Sequence, residues 1–151
     1  MANPTLIKRD KVQVVVFFSD DENFHLLLLQ TNERRGSFWQ NVTGGVEKDD
    51  KDFFAAAKRE VKEELGVCPD KIFDLGKSFS FIDQWNTHVT EHCFFTILTV
   101  EQKSKISLDP GEHQDFKIIP VNEVQENNYK FRNNYEVFLK GRAYVGRENI
   151  E

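Results

Sequence analysis

The sequence predicts an α/β fold, a mixed β-sheet sandwiched between helices (α/β/α), and three observations carry that prediction. Runs of β-branched and aromatic residues recur along most of the chain, separated by polar turns. One stretch of helical periodicity interrupts them near the middle, around residues 52–66. A second closes the chain at residues 133–144, and strands broken by helices in this way pack as layers.

The elements follow in order. Residues 12–18 read as a strand, 19–23 as a turn cluster, and 24–30 as the return strand of a hairpin. Residues 31–37 form a polar loop. A short strand over 38–42 runs into Gly44-Gly45. The central helix begins near Asp50 or Asp52, either of which can accept its first N–H groups. Phe54, Ala57, Val61 and Leu65 recur at helical spacing as its buried stripe, and Gly66 supplies a left-handed end. Residues 71–82 and 88–100 alternate as strands around the loop Asp83-Gln84-Trp85-Asn86. A strand at 115–119 stops at Pro120, and a helical turn follows at 121–124. In the closing helix Tyr135, Phe138, Leu139 and Arg142 share a face.

The 151 residues suit a single domain spanning 1–151, long enough for a hydrophobic core without staples. The 14 Phe argue against disorder. A net charge of −5 disfavours broad binding to nucleic-acid backbones, though a local basic patch could still hold a phosphate tail. Cys68 and Cys93 are too few for a disulfide framework and suit a reducing, cytoplasmic setting. Met1-Ala2-Asn3-Pro4 begins no signal peptide, and no apolar run approaches membrane-spanning length, so no membrane partner is expected.

The chemistry concentrates in Gly44-Gly45-Val46-Glu47 and in the run from Arg59 to Val67. Glu60, Glu63 and Glu64 stand at i, i+3 and i+4, on one helix face, where three like charges repel. A divalent cation relieves that repulsion. Carboxylate oxygens suit Mg²⁺ and Mn²⁺, whose usual substrates are polyphosphates. The bland alternative is an acidic, solvated helix face.

With these residues in view, the chain resembles the Nudix hydrolases, whose signature is G-x5-E-x7-R-E-U-x-E-E-x-G-U with U a bulky aliphatic. The run Arg59-Glu60-Val61-Lys62-Glu63-Glu64-Leu65-Gly66-Val67 matches the second half, placing the box at about residues 44–67. The first half departs. Counting back from Arg59 puts Lys51 at the first Glu, whereas counting forward from Gly44 puts Asp50 there with one extra loop residue. The second register is preferred, with Asp50 pairing to Arg59 and Glu47 as a substitute. Phe38-Trp39-Gln40-Asn41-Val42-Thr43-Gly44, Thr90-Glu91-His92-Cys93-Phe94-Phe95 and Glu112-His113-Gln114-Asp115-Phe116-Lys117 are similar to the dihydroneopterin triphosphate pyrophosphatase branch.

The resemblance implies a Nudix fold and a pyrophosphohydrolase dependent on Mg²⁺ or Mn²⁺, acting on a nucleotide-like triphosphate. It implies that Glu60 and Glu64 bind the metal, that Glu63 is a further ligand or the base, and that the Gly44 carbonyl completes the shell. Glu112 becomes an extra ligand or general base, and Arg59 pairs with the loop acid. Arg34 and Arg35 are either phosphate clamps or an ordinary polar loop. Trp39 and Gln40 could line a base pocket, with Trp39 otherwise core. Phe79, Phe81 and Trp85 could stack on a pterin or purine ring. Aromatics at alternating strand positions usually belong to a core, so Trp85 is the one singled out. The other enzyme reading is an RNA 5′-triphosphate pyrophosphohydrolase, with Lys8, Arg9, Lys130 and Arg132 meeting the following nucleotides. Hydrolysis of another nucleoside or dinucleoside polyphosphate, and a Nudix-fold binding module, remain as further alternatives. Paired first strands or packed C-terminal helices could make a homodimer.

Overall fold

A strand buried on both faces cannot alternate apolar with polar residues; it must be apolar throughout. In the computed structural model, which describes residues 7–20 and 23–147, this is the situation of β1 (Ile7–Asp20). Every residue from 12 to 18 is buried. Along one edge β1 pairs in parallel with β6 (Thr87–Leu98), and β6 pairs antiparallel with β5 (Phe73–Ile82). Its other edge is shared. β2 (Asn23–Thr31) takes the C-terminal half and β4 (Val42–Gly45) the N-terminal half, both antiparallel. β3 (Trp39–Gln40) and β7 (His113–Pro120) pair with β2, completing a seven-stranded mixed sheet.

Helices cover both faces. Val12, Val14 and Val16 pack with Ala56, Ala57, Val61 and Leu65 of α1 (Phe53–Leu65). Val15 and Phe17 pack with Val137, Phe138 and Val145 of α3 (Arg132–Arg147). The expected α/β/α layering is therefore the one observed.

Several boundaries differ from the sequence reading. Asp52 caps α1, its side chain accepting from Ala55 N at 2.8 Å, which leaves Asp50 outside the helix. Gly66 ends it at φ 73°, and a Cβ there would meet the Ser107 carbonyl at 2.9 Å. Phe54 is not part of the buried stripe. It is 45% exposed, its ring meeting Phe94 edge-on at 5.2 Å. The strand over 38–42 is two short strands parted at Asn41. The alternation at 88–100 stops at Leu98, because Thr99 and Gln102 form a reciprocal capping box that starts α2 (Val100–Ser104). β1 starts at Ile7, ahead of the apolar run, because its polar first residues still pair with β6. In the closing helix Phe138 is buried, and Arg142, though exposed, lies over the Phe138 ring 5.7 Å from its centroid. Residues 1–4, and 21–22 within the expected turn, lie outside the described residues. No helix among the described residues is long and apolar enough to cross a membrane.

Candidate functional site

The shared edge of β1 brings the Gly44-Gly45 end of β4 against α1. Lys11 and Val12 face Gly45 and Gly44 in the ladder. A Cβ on Gly44 would lie 1.9 Å from Glu60 Cδ, so only glycine leaves room for that carboxylate. A Cβ on Gly45 would likewise meet the Arg9 guanidinium at 2.4 Å.

Arg59 ties loop to helix. Its Nε and Nη2 donate to the two Asp50 oxygens at 2.9 and 2.8 Å, a bidentate pair. Nη2 also donates to the Gly45 carbonyl at 2.7 Å, and Nη1 to Glu60 at 2.8 Å and Glu63 at 3.1 Å. Asp50 accepts from Glu47 N at 2.7 Å as well, which closes the loop on itself. Glu47 reaches only to 3.7 Å of Arg59 and remains exposed. The paired guanidinium holds the Asp50 carboxyl below its ordinary range, and the Asp50 hydrogen bond raises Arg59 in turn.

Glu60 and Glu64 are buried, whereas Glu63 is exposed. Burial lifts the Glu60 carboxyl to about 7; Arg59 opposes that rise, and the charges of Glu63 and Glu64 add to it. Glu64 Oε2 lies 2.6 Å from His113 Nδ1 but off the hydrogen-bonding direction, so neither buried atom has a hydrogen-bond partner among the described residues. His113 is buried on β7, with Nε2 3.0 Å from Gln40 Nε2.

These groups border a cleft of about 510 Å³. Gly44, Glu60, Glu63, Glu64 and Glu112 line it together with Arg9, Lys11 and Arg35. Glu112 is exposed just before β7, and its Oε2 accepts from Arg35 Nη1 at 2.8 Å. Asn32 holds both partners. Its Oδ1 caps the turn carrying Arg35, and its Nδ2 donates to the Gly111 carbonyl at 2.9 Å. A second cleft of about 530 Å³ shares Lys11 and Thr43 with the first and adds Gln40, Phe79, Phe81, Glu91 and Phe131.

Of the residues singled out in the sequence, Arg59 stands behind the first cleft and Gln40 lines the second. Arg34 lines neither. Trp39 packs against the α3-side core beneath Lys117 Nζ, 4.2 Å from its ring centroid, and lines neither cleft. Trp85, the aromatic preferred for stacking, is 74% exposed on the β5–β6 loop and lines neither; its strand neighbours Phe79 and Phe81 line the second. Asn32 and Lys11 escaped the sequence reading, and Arg9 entered it only as an RNA contact. The signal available was Arg9-x-Lys11 leading into the first strand, opposite the glycine turn once the ladder is known.

Among the described residues, no three carboxylate, His or Cys side chains converge as a ready-made metal cage. The donors still suit an ion that takes one or two protein carboxylates and fills its remaining positions with water and phosphate. Glu60 and Glu64 are two buried acids one helical turn apart, and among the described residues Glu64 Oε2 accepts no hydrogen bond.

The NUDIX domain family matches residues 8–140, and the chain belongs to that family. It is a hydrolase of the class acting on phosphorus-containing acid anhydrides. Among solved structures, the NUDIX domain of Shewanella oneidensis NrtR complexed with ADP ribose superposes with a TM-score of 0.73 at 16% identity, over 95% of this chain and 90% of that one. A Caenorhabditis elegans Ap4A hydrolase binary complex gives 0.74 at 17%, over 91% and 98%. A MutT NUDIX hydrolase from Burkholderia pseudomallei gives 0.67 at 14%, over 88% and 97%. At these identities the likeness establishes the fold. No curated protein sequence matches the chain.

Proposed function

We propose that residues 1–151 act as one cytoplasmic domain, a pyrophosphohydrolase dependent on Mg²⁺ or Mn²⁺ that cleaves a phosphoanhydride of a nucleotide-like triphosphate. The carrying observation is a single cleft lined both by the helix acids Glu60, Glu63 and Glu64 and by the basic side chains of Arg9, Lys11 and Arg35. A polyphosphate bridging a cation and these basic side chains satisfies both sets of charges. In fold, the chain is similar to proteins named for Ap4A hydrolysis or bound to ADP ribose, both of which contain phosphoanhydride linkages.

Glu60, Glu64 and the Gly44 carbonyl would hold the ion, with Glu63 a further ligand or the base. The ion would lower the pKa of a bound water and shield phosphate charge. Arg59 is a positioning residue, fixing the glycine loop and orienting Glu60. Arg35 draws phosphate oxygens, and as it does so its pairing with Glu112 is released. The freed Glu112 carboxylate can then accept a proton from the attacking water. Water oxygen bonds to phosphorus, the bridging P–O bond breaks, and pyrophosphate leaves with a monophosphate product.

Dihydroneopterin triphosphate is the proposed substrate, by the branch resemblance. RNA 5′ ends are the less favoured reading, because Arg132, one of the expected nucleotide contacts, is already engaged by Glu126 and Glu136. The test is Mg²⁺-dependent turnover of dihydroneopterin triphosphate, a short 5′-triphosphorylated RNA and GTP, with Glu64→Gln as blank. Glu64→Gln is expected to abolish turnover with its circular dichroism unchanged. Turnover that survives Glu64→Gln refutes the metal assignment, and preference for RNA replaces the substrate.

A further inference from the structure

The second cleft contains a group the hydrolysis does not use. Glu91 sits on β6 opposite Phe79 of β5 and level with Lys11 of β1, so the three share one face of the sheet. Phe81, two residues along β5, and Phe131, just ahead of α3, add apolar wall; both are exposed aromatics. Glu91 is 4% exposed. Among the described residues its one side-chain hydrogen bond is from Gln13 Nε2 to Oε1, at 2.6 Å. Burial pushes its carboxyl above the ordinary range, opposed by the charge of Lys11, with which it forms no ion pair among the described residues. A carboxylate so buried and so sparingly satisfied costs stability unless something else donates to it.

Its aim is fixed from behind. Gln13 Oε1 accepts from Asn41 Nδ2 at 2.8 Å, and Asn41 Oδ1 accepts from the Tyr129 hydroxyl at 2.8 Å. Asn41 N and Nδ2 also bond to Asn134 of α3, at 3.0 and 3.1 Å. With its oxygen taken by Asn41, the Gln13 amide can only donate to Glu91, so the acid is held as an acceptor.

We infer that this cleft binds a flat bicyclic heterocycle between its aromatic walls, and that Glu91 reads a pair of adjacent N–H donors on its edge, a ring lactam N–H beside an exocyclic amine. Guanine and pterin rings share that edge. Adenine offers a ring acceptor there, which a carboxylate repels. Lys11 and Thr43, common to both clefts, place such a ring so that its phosphate tail reaches the helix acids. This rests on the hydrolase reading for the tail, but the ring contact stands independently of it.

Ligands without phosphate separate the two. Ligand-observed NMR titration of the full chain, in chelator, uses guanosine, neopterin, inosine and adenosine. Guanosine and neopterin are expected to bind; inosine, which lacks the amine, about tenfold more weakly, as for one lost charged hydrogen bond, and adenosine weaker still. Whichever of guanosine and neopterin binds tighter assigns the ring as purine or pterin. Glu91→Gln is expected to erase the guanosine-to-adenosine ratio. Equal or tighter adenosine binding, no measurable binding by any of the four, or a folded Glu91→Gln that keeps the ratio each overturns the inference. If that variant fails to fold, the wild-type series decides alone. Triphosphate turnover blind to the base sinks the inference and leaves the hydrolase; Glu91-dependent guanosine binding without turnover does the reverse.

Discussion

At the scale of single residues, the site depends on space that a side chain would fill. Gly44 has a carboxylate lying where its Cβ would be. Gly44→Ala is expected to push Glu60 aside and lower kcat about 100-fold, the cost of misplacing a proposed ion-holding group by about an ångström. The thermal midpoint, a control for folding, should move little, because the displaced carboxylate can swing into the cleft. Near-wild-type turnover in that variant would show that Glu60 need not sit against the glycine turn. Residue chemistry was legible in the sequence where spacing carried it: the Glu60, Glu63 and Glu64 cluster needs only the helical repeat. Lys11 was not legible as a site group, and Glu91 was legible as a candidate metal-reaching acid but not in its direction, because both depend on strand register, and a one-residue slip turns each to the other face.

Among the elements, α1 is the one whose limits matter. Its start is set by Asp52, although Asp50 stands two residues earlier with the same chemistry. The structure separates them by partner, Asp52 serving the helix N–H groups and Asp50 the Arg59 fork. Asp52→Ala is expected to cost about 1 kcal/mol by denaturant titration, the usual loss of an N-cap. A change within error would mean that the first turn is held by packing. α2 went unread because strand alternation and the capping signal overlap at Thr99, and only the reciprocal bond with Gln102 decides between them. Phe54 was misassigned because periodicity reports which side of a helix faces inward and not where the sheet beneath it stops.

For the whole molecule, the acidic cleft is a liability to the fold that a cation can offset. Glu60 titrates near 7 in the folded chain, against 4.5 ordinarily. Between those values the folded state retains a proton that the unfolded chain has released. The group therefore favours folding at low pH, and that advantage is lost as pH rises through about 7. In chelator the thermal midpoint of wild type should fall relative to Glu60→Gln between about pH 5 and 8. Added Mg²⁺ should recover it, and more at pH 8 than at pH 5.5, where the proton competes with the ion. Parallel midpoints for wild type and variant across that range would refute the assignment of the charge to Glu60. The layering of the molecule was readable in the sequence from continuous apolar and periodic runs. The split edge of β1, on which the cleft depends, was not, since the four-residue β4 that takes the rest of the edge beside β2 is too short to leave a periodic trace.

The Asp50–Arg59 clasp also bears on how such a chain tolerates length change. The segment between glycine turn and helix is one residue longer than the resemblance predicts, yet it closes, because a guanidinium fork needs a carboxylate within reach and not at a set count. Insertions there act like slack in a belt whose buckle stays in place. Loops of several lengths could be grafted between Val46 and Asp52 without disturbing the carboxylate-bearing helix, provided one acid returns to Arg59.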